Sequence, residues 1–480
     1  MRDAAGGRPC ENAAVASWIP YVLALYVLLQ LGIAAIASRY VRTEADYLLA
    51  GRRLGVGVAA VSLFATWFGA ETVIGSSGAV AAEGLSGGRA DPFGYTACLL
   101  LMALLLAGRM RARNYVTLGD FFRDRFGAHA EKLAVVIMIP TSLIWAAAQI
   151  LAFASILAVV TSLPLSFSLI FTVVILVVYS SLGGMIGDVM TDLVQGGIVI
   201  LGLATLLWLV LAEAGGPGAA LASLTADQLQ FLARGESALA QIDGWMIPIL
   251  GSLVAQEAVS RLLATRSAPV ARRACFVAAG LYITVGSMPV VIGLVGGHLA
   301  TPVAGGDAFL PALALEVMPP LLYVVFLGAL ISAILSTIDS ALIAVTALAG
   351  HNILVPLFPG LGERARTRIE RAIAVVAGVF CYFIAVGGDS IFALVELASS
   401  FGSGGLLVCV LIGTYSRFGG AGAALVTLLV GMGLTLLGTF VFAFEAPYLT
   451  SVAGCVTAYV LFAALGRLSG AATKTTMEVS

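Results

Sequence analysis

The feature that most constrains this chain is a succession of apolar runs filling nearly its whole length, most of them long enough to cross ~30 Å of hydrocarbon. They fall at about 18–38, 55–80, 92–108, 133–162, 165–180, 187–212, 244–264, 272–298, 321–349, 369–386, 390–414, 419–443 and 447–466. Hydrocarbon offers no hydrogen-bond partners, so a spanning segment must satisfy its own backbone, and runs of this length do so as helices. The expected fold class is therefore an all-α polytopic membrane protein of about 13 transmembrane helices. A composition 60% hydrophobic and 11% charged, with mean hydropathy +1.05, agrees with that class and excludes a water-soluble globule. One transmembrane domain is expected over 1–466, followed by a short cytoplasmic tail at 467–480, with 18–38 read as an uncleaved first span.

Charge placement gives the orientation. With the N-terminus outside, alternating sides put all of the 25 basic residues on the inner face except Arg2, Arg8, Arg89 and Arg234. The C-terminus is then inside, as for a protein of a bacterial inner membrane. The only lysines, Lys132 and Lys474, follow no glycine-rich loop, so a phosphate-binding P-loop and direct ATP drive are excluded. No sequence feature points to nucleic acid or to an organic cofactor, and the six cysteines are scattered without a CxxC pair. His129, His298 and His351 are too dispersed for a metal site and read as surface or interfacial residues.

Within the run 321–349 a single charge stands out, Asp339, with Ser332, Ser336 and Ser340 recurring every four residues and Thr337 beside them. Ser332, Ser336, Asp339 and Ser340 share roughly one third of the helix circumference. A carboxylate at mid-membrane costs on the order of 3 kcal/mol or more, so it faces a cavity, a partner or an ion. Hard oxygen ligands of this kind suit a small cation. No basic residue lies near Asp339 in sequence to neutralise it.

Two runs are interrupted. Residues 55–80 carry Gly69, Gly75 and Gly78 around Glu71, and 244–264 carry Pro248 and Gly251 ahead of Gln256 and Glu257. They are the second and seventh spans. Broken helices at matching places in two halves point to an inverted repeat with its site near the bilayer midplane, where unwound carbonyls can hold a cation. The expected repeats are spans 2–6, about 55–212, and spans 7–11, about 244–414. Asp188 and Asp192 open the sixth span, where a carboxylate favours the positive helix N-terminus.

Four stretches resemble the sodium:solute symporter family: DYLLAGRRLG with ATWFGAETVIGSSG, YSSLGGMIGDVMTDLVQ, Gln256 through Arg261 into LLATRS, and SAILSTIDS. The resemblance covers roughly residues 40–415 and implies a LeuT-type fold of five plus five helices and sodium as the coupling ion. It implies a main sodium site made by the carbonyls of Ala65, Phe68 and Ala333 and the hydroxyls of Ser336 and Thr337. Five oxygens at about 2.4 Å would make a reasonable shell, by analogy with other hard cations. It also implies a second cation site at Asp192, Asp339 and Ser340. Many relatives carry serine where this chain has Asp339, and a choline-transporter-like branch carries aspartate.

The same resemblance puts solute beside the broken helices. The candidate pocket residues are Trp67, Glu71, Thr72, Trp145, Gln149, Gln256, Glu257, Glu396 and Ser400. Acidic groups with two tryptophans favour a cationic or zwitterionic small solute, since an ammonium over an indole face gains ~0.5–2 kcal/mol. Ala255 stands where the choline-like branch has an aromatic residue. The leading expectation is sodium-coupled import of a small polar solute; proton coupling with a cationic amine such as choline is the alternative. Outside transport, an intramembrane enzyme lacks a histidine in any span core, and a sensor lacks room for a signalling domain behind the last span.

Overall fold

The computed structural model describes residues 8–478 apart from 162, 298, 300–305 and 389. His298 therefore lies outside the described residues. In chain order the helices are α1 (Arg8–Ser38), α2 (Glu44–Leu49), α3 (Val56–Trp67), α4 (Ser76–Glu83), α5 (Tyr95–Leu105), α6 (Ala107–Ala112) and α7 (Leu118–Phe126). They continue as α8 (Ala128–Thr161), α9 (Leu165–Glu213), α10 (Pro217–Ser223), α11 (Ala238–Leu250), α12 (Gln256–Leu263), α13 (Ala268–Gly296) and α14 (Phe309–Val317). The last seven are α15 (Pro320–Ala349), α16 (Val355–Leu357), α17 (Glu363–Val386), α18 (Ile391–Ser400), α19 (Ser403–Tyr415), α20 (Ala421–Phe440) and α21 (Pro447–Glu478). No strand occurs among the described residues; an isolated parallel bridge pairs Leu54 with Thr265. That bridge ties the approach to the first broken helix to the exit from the second.

Among the described residues, eight helices are long and apolar enough to cross a membrane, and two bent pairs bring the number to ten. The bent pairs are the two interrupted runs. Val56–Trp67 meets Glu71–Leu105 at 65°, and Ala238–Val254 meets Gln256–Leu263 at 43°. The runs 165–180 and 187–212 are the two halves of α9, separated by a kink at Gly184, where φ 52 and ψ −159 suit only glycine. One expected boundary needs correction. The run 390–414 is divided by Gly402 at φ 65 into α18 and α19.

Local chemistry explains several of these boundaries. α2 and α7 each begin with a capping box, Thr43 with Asp46 and Thr117 with Asp120, so both short helices have satisfied N-termini. α3 ends because Phe68 leaves helical geometry, at ψ 69, and the chain must pass very close to α8 and α15 at Gly69. A Cβ there would stand 2.6 Å from Gln149 Oε1 and 2.9 Å from Thr337 Oγ1, so a side chain at 69 would push both aside.

The helix with the lone carboxylate is the centre of the molecule. From Ala329 to Leu348 every side chain of α15 is buried, against α8, α9, α3 and α12. α20 and α21 pack on one another and on α19 at the margin.

Candidate functional site

Where α3 breaks, its last carbonyls meet the hydroxyl stripe of α15. Ser336 Oγ donates to the carbonyl of Ala65 at 3.1 Å and to that of Ala333 at 2.9 Å. Thr337 Oγ1 approaches the same two carbonyls at 3.3 and 3.2 Å. Four of the five oxygens expected for a main sodium site thus converge in a buried spot between two helices. Phe68, the fifth, caps the same helix end. Helix unwinding frees carbonyls there, which is what a small hard cation needs.

One turn along α15 lies a second polar cluster. Asp339 accepts from Ser180, and Asp192 accepts from Ser62 at 2.5 Å. Ser340 donates to the carbonyl of Ser336 at 2.8 Å and accepts from Arg261. Arg261 in turn forms a buried salt bridge with Asp188, one turn beyond the Gly184 kink. The structure therefore brings Asp192, Asp339 and Ser340 into one buried neighbourhood and adds a cation to it. Arg261 is not the loop charge that the orientation ledger makes of it; it is fully buried. Three carboxylates face one guanidinium, and Asp188 Oδ1, Asp192 Oδ1 and Asp339 Oδ2 have no hydrogen-bond partner.

The candidate pocket residues separate into two groups. Trp67, Trp145, Gln256 and Glu257 line a cavity between α3, α8, the second helix break and α18–α19, with free space of about 30 Å³ in this conformation. Ser142, Ser399 and Ser403 line it too. Gln256 also reaches out of the cavity, accepting from the amide of Leu118 at 2.8 Å. Beside the cavity, Tyr95 stands 5.5 Å from the ring of Trp67 and 6.1 Å, edge-on, from that of Trp145.

Glu71, Thr72, Gln149, Glu396 and Ser400 do not line this cavity. Glu71 Oε2 accepts from Gln149 Nε2 at 2.5 Å, while Gln149 Oε1 accepts from the amide of Ala70 at 2.8 Å. That pair braces the break itself: Gln149 takes an amide that the interrupted helix leaves free. Thr72 donates to Asp91 and shares a hydrogen bond with Tyr282 at 2.9 Å; Tyr282 also bonds the carbonyl of Trp67 at 3.1 Å. Glu396 is exposed on α18, and the Ser400 hydroxyl turns back to Leu397.

Sequence reasoning missed Arg261, Asp91, Tyr95 and Tyr282 as site residues. Arg261 carried a usable signal, a charge inside an apolar run like that of Asp339. Asp91 abuts a proline at the edge of a run and reads as a loop residue.

At one end of the bundle, His351 Nδ1 lies 2.6 Å from Glu44 and Nε2 lies 3.2 Å from Asp120. Arg366 adds a 3.1 Å contact to Glu44. The hydrogen bond with His351 holds the Glu44 carboxyl below its ordinary range. For Asp120, burial pushes upward but is outweighed by His351 and by the amides of Val116 and Thr117, so it too is lowered. No group of three or more metal-ligating His, Cys, Asp or Glu side chains occurs among the described residues.

The sequence profile described as "Sodium:solute symporter family" matches residues 47–431. The high-affinity choline transporter 1 of Caenorhabditis elegans is 25% identical over 441 residues, covering 86% of this chain and 76% of that protein. The Torpedo marmorata protein of the same name is 28% identical over 65% of this chain and 56% of its own length. Human sodium-coupled monocarboxylate transporter 1 is 26% identical over 82% of this chain and 68% of its own. Among solved structures, a Na+-coupled sialic acid symporter in a substrate-bound outward-open state superposes with TM-score 0.80 at 18% identity, covering 95% of this chain and 97% of the other. The nucleobase-cation-symport-1 family transporter Mhp1, closed around bromovinylhydantoin, gives 0.60 at 14% identity, with 86% and 93% covered. These likenesses carry the fold, which is of the LeuT type.

Proposed function

The chain belongs to the sodium:solute symporter family, and we propose that it is a sodium-coupled secondary active symporter importing a small polar organic solute by alternating access. The observation that carries this reading is the meeting of Ser336 and Thr337 with the carbonyls of Ala65 and Ala333 at the break in α3. A sodium ion held by Ala65, Phe68, Ala333, Ser336 and Thr337 would fix that break, and Trp67 beside it lines the solute cavity. The shared helix makes the two ligands help one another, and linkage requires the help to be mutual. Substrate must raise sodium affinity as sodium raises substrate affinity.

The basic residues support an outside N-terminus and an inside C-terminus, and we place the protein in a bacterial inner membrane. The two bent helices support inverted repeats over about 55–212 and 244–414, with the bridge between Leu54 and Thr265 joining their broken members. For the solute we favour a cationic amine. Trp67 and Trp145 line the cavity with Glu257, and Tyr95 packs against both indoles. Relatives named as choline transporters agree with that class.

One observation favours an added coupling ion. Asp188, Asp192 and Asp339 outnumber Arg261 in their buried cluster, so a second cation or a proton at Asp192, Asp339 and Ser340 would offset part of the excess. Purified protein in liposomes tests the main proposal. Solute should accumulate when an inward sodium gradient is imposed, and accumulation indifferent to sodium would refute it.

A further inference from the structure

Outside the transport site lies a strongly charged cleft of about 820 Å³ between α6, α7 and the end of α19. Four arginines line it, Arg109, Arg113, Arg125 and Arg417, against one carboxylate, Asp124. Like charges gathered around one cleft repel, so the arrangement is stabilised by an anion.

The arginines differ in what already holds them. Arg109 donates to the Tyr415 hydroxyl at 2.9 Å and lies 4.2 Å from the centre of that ring. Arg125 Nη2 donates to the carbonyls of Ser416, Phe418 and Gly419 at 3.0–3.1 Å, while its buried Nε has no partner. Arg113 pairs with Asp124 at 3.2 Å, and Asp124 also accepts from Tyr115 at 2.6 Å. Arg417 is exposed and has no hydrogen-bond or ion-pair partner among the described residues. Two guanidinium groups thus build the walls, and Arg113 and Arg417 present charge into the opening.

Guanidinium groups match phosphate oxygens in fork geometry. The setting selects the source of that phosphate. Leu104 and Leu100, about one and a half and two and a half turns before Arg109 on the neighbouring α5, are exposed apolar residues of the kind that face lipid tails. Tyr415, half exposed at the rim, belongs to the class that settles at headgroup level. A ligand with a phosphate in the cleft and an acyl chain along α5 satisfies both surfaces. We propose that this cleft is a binding site for a phosphate-bearing anion, supplied as the headgroup of an acidic phospholipid from the leaflet it faces.

The test is native mass spectrometry of the purified full-length chain, titrated with phosphatidylglycerol, with phosphatidylcholine, or with inorganic phosphate alone. The site predicts preferential retention of phosphatidylglycerol, reduced about tenfold or more by Arg113→Ala with Arg417→Ala, since each basic contact contributes on the order of 1 kcal/mol. Arg364→Ala with Arg368→Ala removes equal charge from exposed positions elsewhere and should leave retention unchanged. Matching melting temperatures certify that both double variants are folded; if the cleft variant melts early, Arg417→Ala alone is read instead. Equal retention of the two lipids, or equal loss in the two double variants, would overturn the proposal. If inorganic phosphate binds alone and displaces phosphatidylglycerol, the anion is a soluble one and the lipid assignment falls.

Discussion

Ser336 donates a hydrogen bond to the carbonyl of Ala65 across 271 residues of sequence, at 3.1 Å. The contact closes the gap between a helix that runs unbroken and one that has just stopped. Replacing Ser336 by alanine removes an oxygen from that junction without leaving a buried donor unpaired on α15. We expect the sodium concentration for half-maximal uptake to rise about tenfold, the equivalent of ~1.4 kcal/mol, with Thr337→Ala acting in the same direction. Sodium titrations of solute uptake in liposomes measure it. An unchanged requirement in both variants removes them from the site.

Glu71 and Glu257 should behave differently although both are buried acids near a helix break. Glu257 lines the cavity beside Trp145, whereas Glu71 is tied to Gln149 behind the break and comes within 3.0 Å of the place a Gly69 Cβ would occupy. Glu257→Gln should weaken solute affinity at fixed sodium by about tenfold, consistent with the loss of one charge-assisted contact. Gln149→Ala should raise the sodium requirement and leave the ranking of competing solutes intact. Competition assays at saturating sodium distinguish these outcomes.

Arg261 and Asp188 form a fully buried ion pair. Removing one member strands a charge in low dielectric, which costs about 3–5 kcal/mol. Arg261→Met should therefore lower the melting temperature sharply or abolish accumulation of folded protein. Adding Asp188→Asn should recover part of the loss, because the stranded charge is then gone. A double variant no better than the single would show that the arginine acts mainly on Ser340 and the other acids.

These contacts mark the limit of what a linear reading can give. Both breaks were legible because glycine and proline change local backbone preferences, and the hydroxyl stripe of α15 was legible because helical period is a local property. The partners across helices were not. Arg261 lies 73 residues from Asp188 and 79 from Ser340, so its place inside an apolar run marks it as unusual without naming its partners. Glu396 and Ser400 show a related limit: helical period puts Glu396, Ser399, Ser400 and Ser403 on one stripe, and the packing of neighbouring helices brings Ser399 and Ser403 to the cavity.

The Glu44–His351–Asp120 contacts should make one end of the bundle sensitive to acid. Both carboxyls are lowered in the folded protein, Glu44 mainly through its hydrogen bond with His351. A lowered carboxylate stabilises the fold above its unfolded pKa, roughly 4 for these groups, and loses that contribution as pH falls through the folded value. Stability supplied by these two groups should thus be level from pH 5 to neutrality and decline below about pH 4. In Glu44→Gln the acid-dependent decline should be smaller. Melting curves across that range measure the difference, and identical pH profiles would show that the pair contributes nothing.

Asp339 gives the most discriminating test of how many ions move. Its carboxylate accepts from Ser180, shares a buried neighbourhood with Asp188, Asp192 and Arg261, and stands one turn from Ser336. Because it does not line the cavity beside Trp67 and Trp145, Asp339→Ser should leave solute preference unchanged. It removes one of three acids facing a single guanidinium, so the charge that a second cation or proton would balance falls by one. We expect the charge moved per solute, or the pH dependence of uptake, to change while the response to Ser336→Ala stays as in the parent protein. Reversal-potential measurements in liposomes at several pH values read both quantities. If neither moves, Asp339 serves only to hold Ser180 and the α9 kink against α15.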